Sequence, residues 1–205
     1  MNNIGGEHTC LTISLSAGAR MISLEHIQAE IGMRKVKYFV ANSLDGFISR
    51  VDGSVDWLFM DQDYGMSMFF ASVDVAIMGR KTYHKMQELA PGQTFSPTIR
   101  EYVFSRTQPS GMVGNTTFLN EPIGSWLDGV RRRPGKDIWL VGGGEMVRAF
   151  LLERLIDEIG LTIHPRLLGA GIPLFPTPYP ETELQLISCR EYETGLIQTF
   201  YSVKR

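Results

Sequence analysis

Runs dominated by apolar residues alternate along most of this chain with stretches whose apolar positions recur every three or four residues. The first pattern marks strands covered on both faces, and the second marks amphipathic helices. Val36–Ala41 predicts a first strand, and Asn42-Ser43-Leu44-Asp45-Gly46 predicts a turn by composition. Phe47-Ile48-Ser49 follows, with a second turn at Asp52-Gly53. A helix is expected over 63–70, ahead of a strand at Val75–Met78. Strands at 101–104 and 116–119 then precede a helix over 122–131. Ile138-Trp139-Leu140-Val141 predicts another buried strand, and Met146, Val147, Phe150, Leu151 and Leu155 form one stripe of a helix over 145–155. A strand over 158–163 and a hairpin of 184–191 and 196–203, turning at Glu193-Thr194-Gly195, complete the pattern. Such alternation predicts one α/β domain with a mixed sheet and helices on both faces.

Residues 1–32 do not share this pattern. They are rich in small and polar residues, with one weakly amphipathic stretch over 23–31. Met33 is a natural translation start just ahead of the first strand. The chain therefore divides into an N-terminal extension, 1–32, expected to be dispensable, and a domain spanning 33–205.

Three strand ends carry the candidate chemistry. Ile138–Val141 runs into Gly142-Gly143-Gly144-Glu145 at the start of a helix. Glycines there allow close approach of another backbone or a phosphate, and the free N–H groups of the helix favour an anion. The triplet lacks the spacing of a G-x-G-x-x-G fingerprint, so a plain tight turn is the alternative. Val75–Met78 leads into Gly79-Arg80-Lys81-Thr82-Tyr83. Two cations at a helix start oppose the dipole unless an anion lies there; a solvated basic turn is the competing reading. Tyr102-Val103-Phe104 delivers Ser105-Arg106-Thr107. Ligands of open α/β sheets gather at such carboxyl ends, and a dinucleotide with an extra ribose phosphate would use all three.

Bulk properties narrow the classes. A net charge of −2, with 43% hydrophobic and 20% charged residues, is ordinary for a globular chain and gives no general attraction to nucleic acid or anionic membranes. The run Arg131-Arg132-Arg133-Pro134-Gly135-Lys136 is read as a helix end and turn. Cys10 and Cys189 form no CxxC, and His8, His26, His84 and His164 show no ligand spacing, so no metal site is expected. His164 is read as structural. No segment approaches the ~18 apolar residues of a membrane span, and no signal-peptide pattern opens the chain. A reduced, cytoplasmic setting is the resulting expectation.

Five segments together are recognisable: Val40–Gly46, Met78–Tyr83, Val103–Thr107, Asp137–Gly144 and Leu167–Phe175. In combination and order they resemble the bacterial dihydrofolate-reductase-like family that includes the reductase domain of the bifunctional riboflavin-biosynthesis deaminase-reductase. The resemblance implies a three-layer α/β/α fold with a central mixed sheet and a C-terminal β-hairpin, binding NADPH across the sheet. By position, Gly79, Arg80, Lys81 and Thr82 would hold the pyrophosphate side, and Ser105 and Arg106 would lie near the adenosine ribose and its 2′-phosphate. Gly142, Gly143, Gly144 and Glu145 would wrap the pyrophosphate and nicotinamide ribose, with the main chain of Ala41 facing the nicotinamide. Asn42, Ser43 and Asp45 would border the substrate.

The implied reaction is metal-free hydride transfer to a nitrogen heterocycle, of the 5-amino-6-(5-phosphoribosylamino)uracil or the dihydrofolate and pterin type. A proton is also needed, so a carboxyl of raised pKa beside the substrate is sought. Asp63 is the first candidate and Asp45 the second. The alternatives are a helix cap for Asp63 and a plain turn for Asp45. The zinc deaminase signature of the bifunctional enzyme is absent, which implies a stand-alone reductase. His164 and Arg166 are further candidates for gripping a ribose phosphate. The expected partner is a small heterocyclic substrate, with neither nucleic acid nor membrane, in a homodimer. The competing class is a non-catalytic nucleotide- or pterin-binding regulatory protein of the same fold.

Overall fold

Val75-Ala76-Ile77-Met78 and Ile138-Trp139-Leu140 are apolar at every position because the strands carrying them are covered on both faces. A computed structural model describes residues 33–205. The expected dispensability of 1–32 and the amphipathic stretch within it lie outside the described residues. The strands are β1 (Val36–Ser43), β2 (Phe47–Ser49), β3 (Val73–Gly79), β4 (Arg100–Phe104), β5 (Gly111–Val113) and β6 (Thr116–Leu119). They continue with β7 (Asp137–Gly142), β8 (Glu158–His164), β9 (Ile172–Pro173), β10 (Leu184–Glu191) and β11 (Ile197–Val203). The helices among the described residues are α1 (Met66–Ser72), α2 (Arg80–Leu89), α3 (Ile123–Arg131) and α4 (Gly144–Leu152).

Nine strands form one sheet in the order β10-β11-β8-β1-β7-β3-β4-β6-β5, and β2 pairs separately with β9. Pairing is parallel from β8 across to β6, while β11, β10 and β5 run antiparallel to their neighbours. Successive side chains on each strand then divide between two layers. Val36, Tyr38, Val75, Ile77 and Leu140 pack with Leu127 of α3 and Phe150 of α4. Phe39, Ala76 and Trp139 pack with Phe69 of α1, and Met78 and Val103 sit against Tyr83 and Met86 of α2. Two helices thus cover each face, which gives the three layers. None of the helices among the described residues is long and apolar enough to cross a membrane.

Three boundaries differ from the sequence reading, each for a local reason. Asn42 and Ser43 are strand rather than turn, because they continue the ladder opposite Ile163 and His164. The first helix starts at Met66, since Tyr64 and Gly65 carry φ of 48° and 79°. The last helix stops at Leu152, two residues before Arg154 enters the left-handed region with φ 53°. Strands β5 and β9 are too short to leave a period in the sequence. The basic run closes α3 as expected, but Arg131 is 8% exposed and turns inward to Asp157 and the Leu155 carbonyl.

Candidate functional site

Because β7, β3 and β4 are parallel neighbours, their carboxyl ends come out along one edge of the sheet. Gly79 faces Phe104 in register, and Met78 faces Gly142. Gly79 leads into α2 and Gly143 into α4, and neither helix start has a side-chain cap among the described residues. Their first N–H groups are therefore left for another acceptor. Gly142 and Gly143 hold φ of 128° and 89°, which only glycine adopts readily. A Cβ on Gly143 would stand 2.8 Å from Thr82 Oγ1 and 3.8 Å from the Gly79 nitrogen. The two glycine turns thus form a cradle that a side chain would fill.

Cations ring this cradle. Lys81 Nζ lies 3.3 Å from Glu145 Oε1, and Arg106 Nη2 lies 3.0 Å from Glu145 Oε2. Arg80 Nη1 donates to Thr107 Oγ1 at 2.7 Å, joining the β3 and β4 ends. Ser105 is buried, and its Oγ accepts from the backbone N–H groups of Gln108 at 3.0 Å and Thr107 at 3.3 Å. Its oxygen therefore shapes the loop that projects Arg106. Gly79, Arg80, Lys81, Thr82, Arg106 and Gly142–Glu145 are brought together at one edge. An edge of this kind fits a phosphate-bearing nucleotide: uncapped helix N-termini, a glycine cradle and three exposed cations.

The ends of β1 and β8 form the adjoining part. Ala41 is half-buried there, and Asn42 Nδ2 donates to the Ser43 carbonyl at 2.7 Å while its buried Oδ1 has no partner among the described residues. Ser43 Oγ donates to Asp45 Oδ1 at 2.6 Å and accepts from Phe47 N at 3.0 Å. Asp45 also accepts from Leu168 N at 3.0 Å and from Gly169 N at 2.7 Å, which clamps the β1–β2 turn onto the Leu167–Gly171 loop. The Ser43 hydrogen bond, then those backbone donors, lower its pKa below the ordinary carboxylate value. Three donors, Ser43 Oγ, Leu168 N and Gly169 N, thus engage the carboxylate that was the second candidate for the proton. Asp45→Asn should lower the denaturation midpoint at neutral pH. Because a depressed folded-state pKa stabilises only above the unfolded value, the difference from wild type should vanish as pH falls through the folded pKa. A pH-independent difference would contradict the clamp.

Asp63, the first candidate for the proton, stands just ahead of α1. It is exposed, and Oδ1 accepts from Ser67 N at 3.0 Å and Ser67 Oγ at 2.8 Å in the first turn of α1. Those bonds are the helix-capping alternative. His164 is buried: its Nδ1–H donates to the Thr162 carbonyl at 3.1 Å, and desolvation lowers its pKa. Its ring meets the edge of Trp57 at 5.1 Å and lies 5.1 Å from Phe59, over which Arg166 sits at 5.9 Å. This aromatic wall escaped the sequence reading. The run Trp57-Leu58-Phe59-Met60 was its only signal, and residues 55–60 have no regular structure to give it a period. Among the described residues no group of three His, Cys, Asp or Glu is placed to hold a metal ion.

The profile of the RibD C-terminal domain matches residues 34–198. The protein called YwjB of Bacillus subtilis (strain 168) is 37% identical over 162 residues, covering 78% of this chain and 92% of that protein. YyaP of the same organism is 34% identical over 178 residues, covering 82% and 94%. A putative riboflavin biosynthesis protein from Shewanella sp. PV-4 superposes with a TM-score of 0.74 at 27% identity, over 83% of this chain and 99% of that one. The deaminase/5-amino-6-(5-phosphoribosylamino)uracil reductase of Thermotoga maritima shares the fold, with a TM-score of 0.65 at 14% identity over 87% of this chain and 59% of that one. With a match spanning residues 34–198, the chain belongs to the RibD C-terminal domain family, built on a reductase-like fold.

Proposed function

We propose that the chain is an NADPH-dependent reductase of a nitrogen heterocycle. The observation that carries this reading is the pair of uncapped, glycine-led helix starts at Gly79 and Gly143, packed together and ringed by Arg80, Lys81 and Arg106. Bound there, NADPH would supply the hydride. The chain's own residues do the rest. Backbone N–H groups of α2 and α4 would hold the pyrophosphate, Arg106 would bind the 2′-phosphate, and the end of β1 at Ala41 would face the nicotinamide. Asn42 and the wall of Trp57 and Phe59 border a flat substrate, and the exposed Arg166 guanidinium suits an anionic substituent on it. Asp45 is engaged by Ser43, Leu168 and Gly169, and Asp63 by Ser67, so the proton is assigned to water.

The competing reading, a nucleotide-binding regulator without turnover, is separated by protein-dependent NADPH oxidation over a panel of aminouracils and pterins. Arg106→Ala should weaken NADPH roughly tenfold, since a charge-assisted bond to phosphate is lost, and should leave NADH nearly unchanged. Equal weakening of both cofactors would remove Arg106 from the phosphate role.

A further inference from the structure

Glu145 stands between two cations at the glycine-led edge. Its two oxygens are divided between Lys81 on α2 and Arg106 beyond β4, at 3.3 Å and 3.0 Å. It also stands in the first turn of α4, where negative charge is favoured. Two cations from separate elements and a helix N-terminus are the partners that a nucleotide phosphate would seek. The three side chains are 88%, 89% and 69% exposed for Lys81, Arg106 and Glu145, so each pair is weak and readily exchanged.

We propose that Glu145 is a resident anion: it holds Lys81 and Arg106 in position while the site is free and yields them to the phosphates of the ligand. On this account it opposes cofactor binding rather than contributing to it, and so speeds release of the spent nucleotide. The inference rests on the nucleotide reading of this edge. It assigns Glu145 a role opposite to that of a ribose- or pyrophosphate-binding residue.

The test is isothermal titration of wild type, Glu145→Ala and Glu145→Gln with NADPH, NADH and inorganic pyrophosphate, at two salt concentrations. Both variants should bind NADPH roughly three- to tenfold more tightly, the effect of freeing two exposed ion pairs. The gain should be larger for NADPH than for NADH, because NADPH carries the additional charge. Salt dependence should steepen, since the freed cations now hold counterions that binding releases. Weaker binding of both nucleotides would overturn the proposal and leave the nucleotide site standing, with Glu145 as one of its ligands. Loss of NADH affinity alone would overturn it in favour of a ribose-hydroxyl contact. If wild type binds no nucleotide, yet the variants bind pyrophosphate more tightly, the resident anion stands and the nucleotide reading falls. Unchanged NADPH and pyrophosphate binding in variants of normal melting temperature overturns the resident anion and leaves the nucleotide reading to wild-type NADPH binding.

Discussion

Gly143→Ala should lose most nucleotide binding and about 1–3 kcal/mol of stability, the cost of holding a side-chain-bearing residue in a left-handed conformation. The φ of 89° sets the first part of that cost. The second comes from the new Cβ, which would stand 2.8 Å from Thr82 Oγ1. Relief requires the two glycine turns to part, and that opens the cradle. The double variant Gly143→Ala with Thr82→Ala should recover the steric share but not the backbone strain, so a double-mutant cycle divides the two. Titration with NADPH and chemical denaturation on all three variants give the measurement. Normal affinity in Gly143→Ala would mean that the close approach of Gly143 to Thr82 has no part in binding.

Asp157→Ala should produce the largest loss of stability, about 3–5 kcal/mol, as expected when a buried ion pair loses one partner. Asp157 accepts the Val36 N–H at 2.8 Å at the entry of β1, and pairs with Arg131 and Arg205. Arg131 is only 8% exposed, and its Nε already has no partner among the described residues. Without Asp157, that guanidinium keeps only the Leu155 carbonyl. Arg205 is half-exposed, so Arg205→Ala should cost less than about 1 kcal/mol. Urea midpoints at constant m-value distinguish the two, and equal losses would show that burial of Arg131 does not control this corner. A cavity of about 360 Å³, floored by Phe150 and Ile156, opens beside these residues at the amino edge of the sheet, away from the glycine turns.

Much of this arrangement was legible from residue order. Val75–Met78 and Ile138–Val141 announced strands buried on both faces, and Gly79 and Gly142–Gly144 marked where backbones approach. Parallel pairing then forced their ends onto one edge. Partnership was not legible. A carboxylate at 45 reads as turn or acid until Leu168, 123 residues further on, and Gly169 supply donors. At 63 the hydroxyl and N–H of Ser67 decide the matter, and the helix boundary that brings them close depends on the positive φ of Tyr64 and Gly65. Trp57 and Phe59 stayed hidden because an irregular segment has no period, and their shared neighbour His164 is contributed by a strand more than a hundred residues away.

The central position of β1 has a consequence for synthesis. Val36 pairs with Ile138, and Tyr38 with Leu140 and Ile159, so neither neighbour of β1 exists until most of the chain has left the ribosome. At about 5–20 residues per second, roughly 5 to 20 seconds pass between translation of β1 and translation of β7. Throughout that interval an apolar strand carrying Tyr38 and Phe39 waits with both edges unpaired. Any chaperone that assists this protein should therefore engage nascent chains shorter than about 140 residues through β1, and release them once β7 and β8 can close around it.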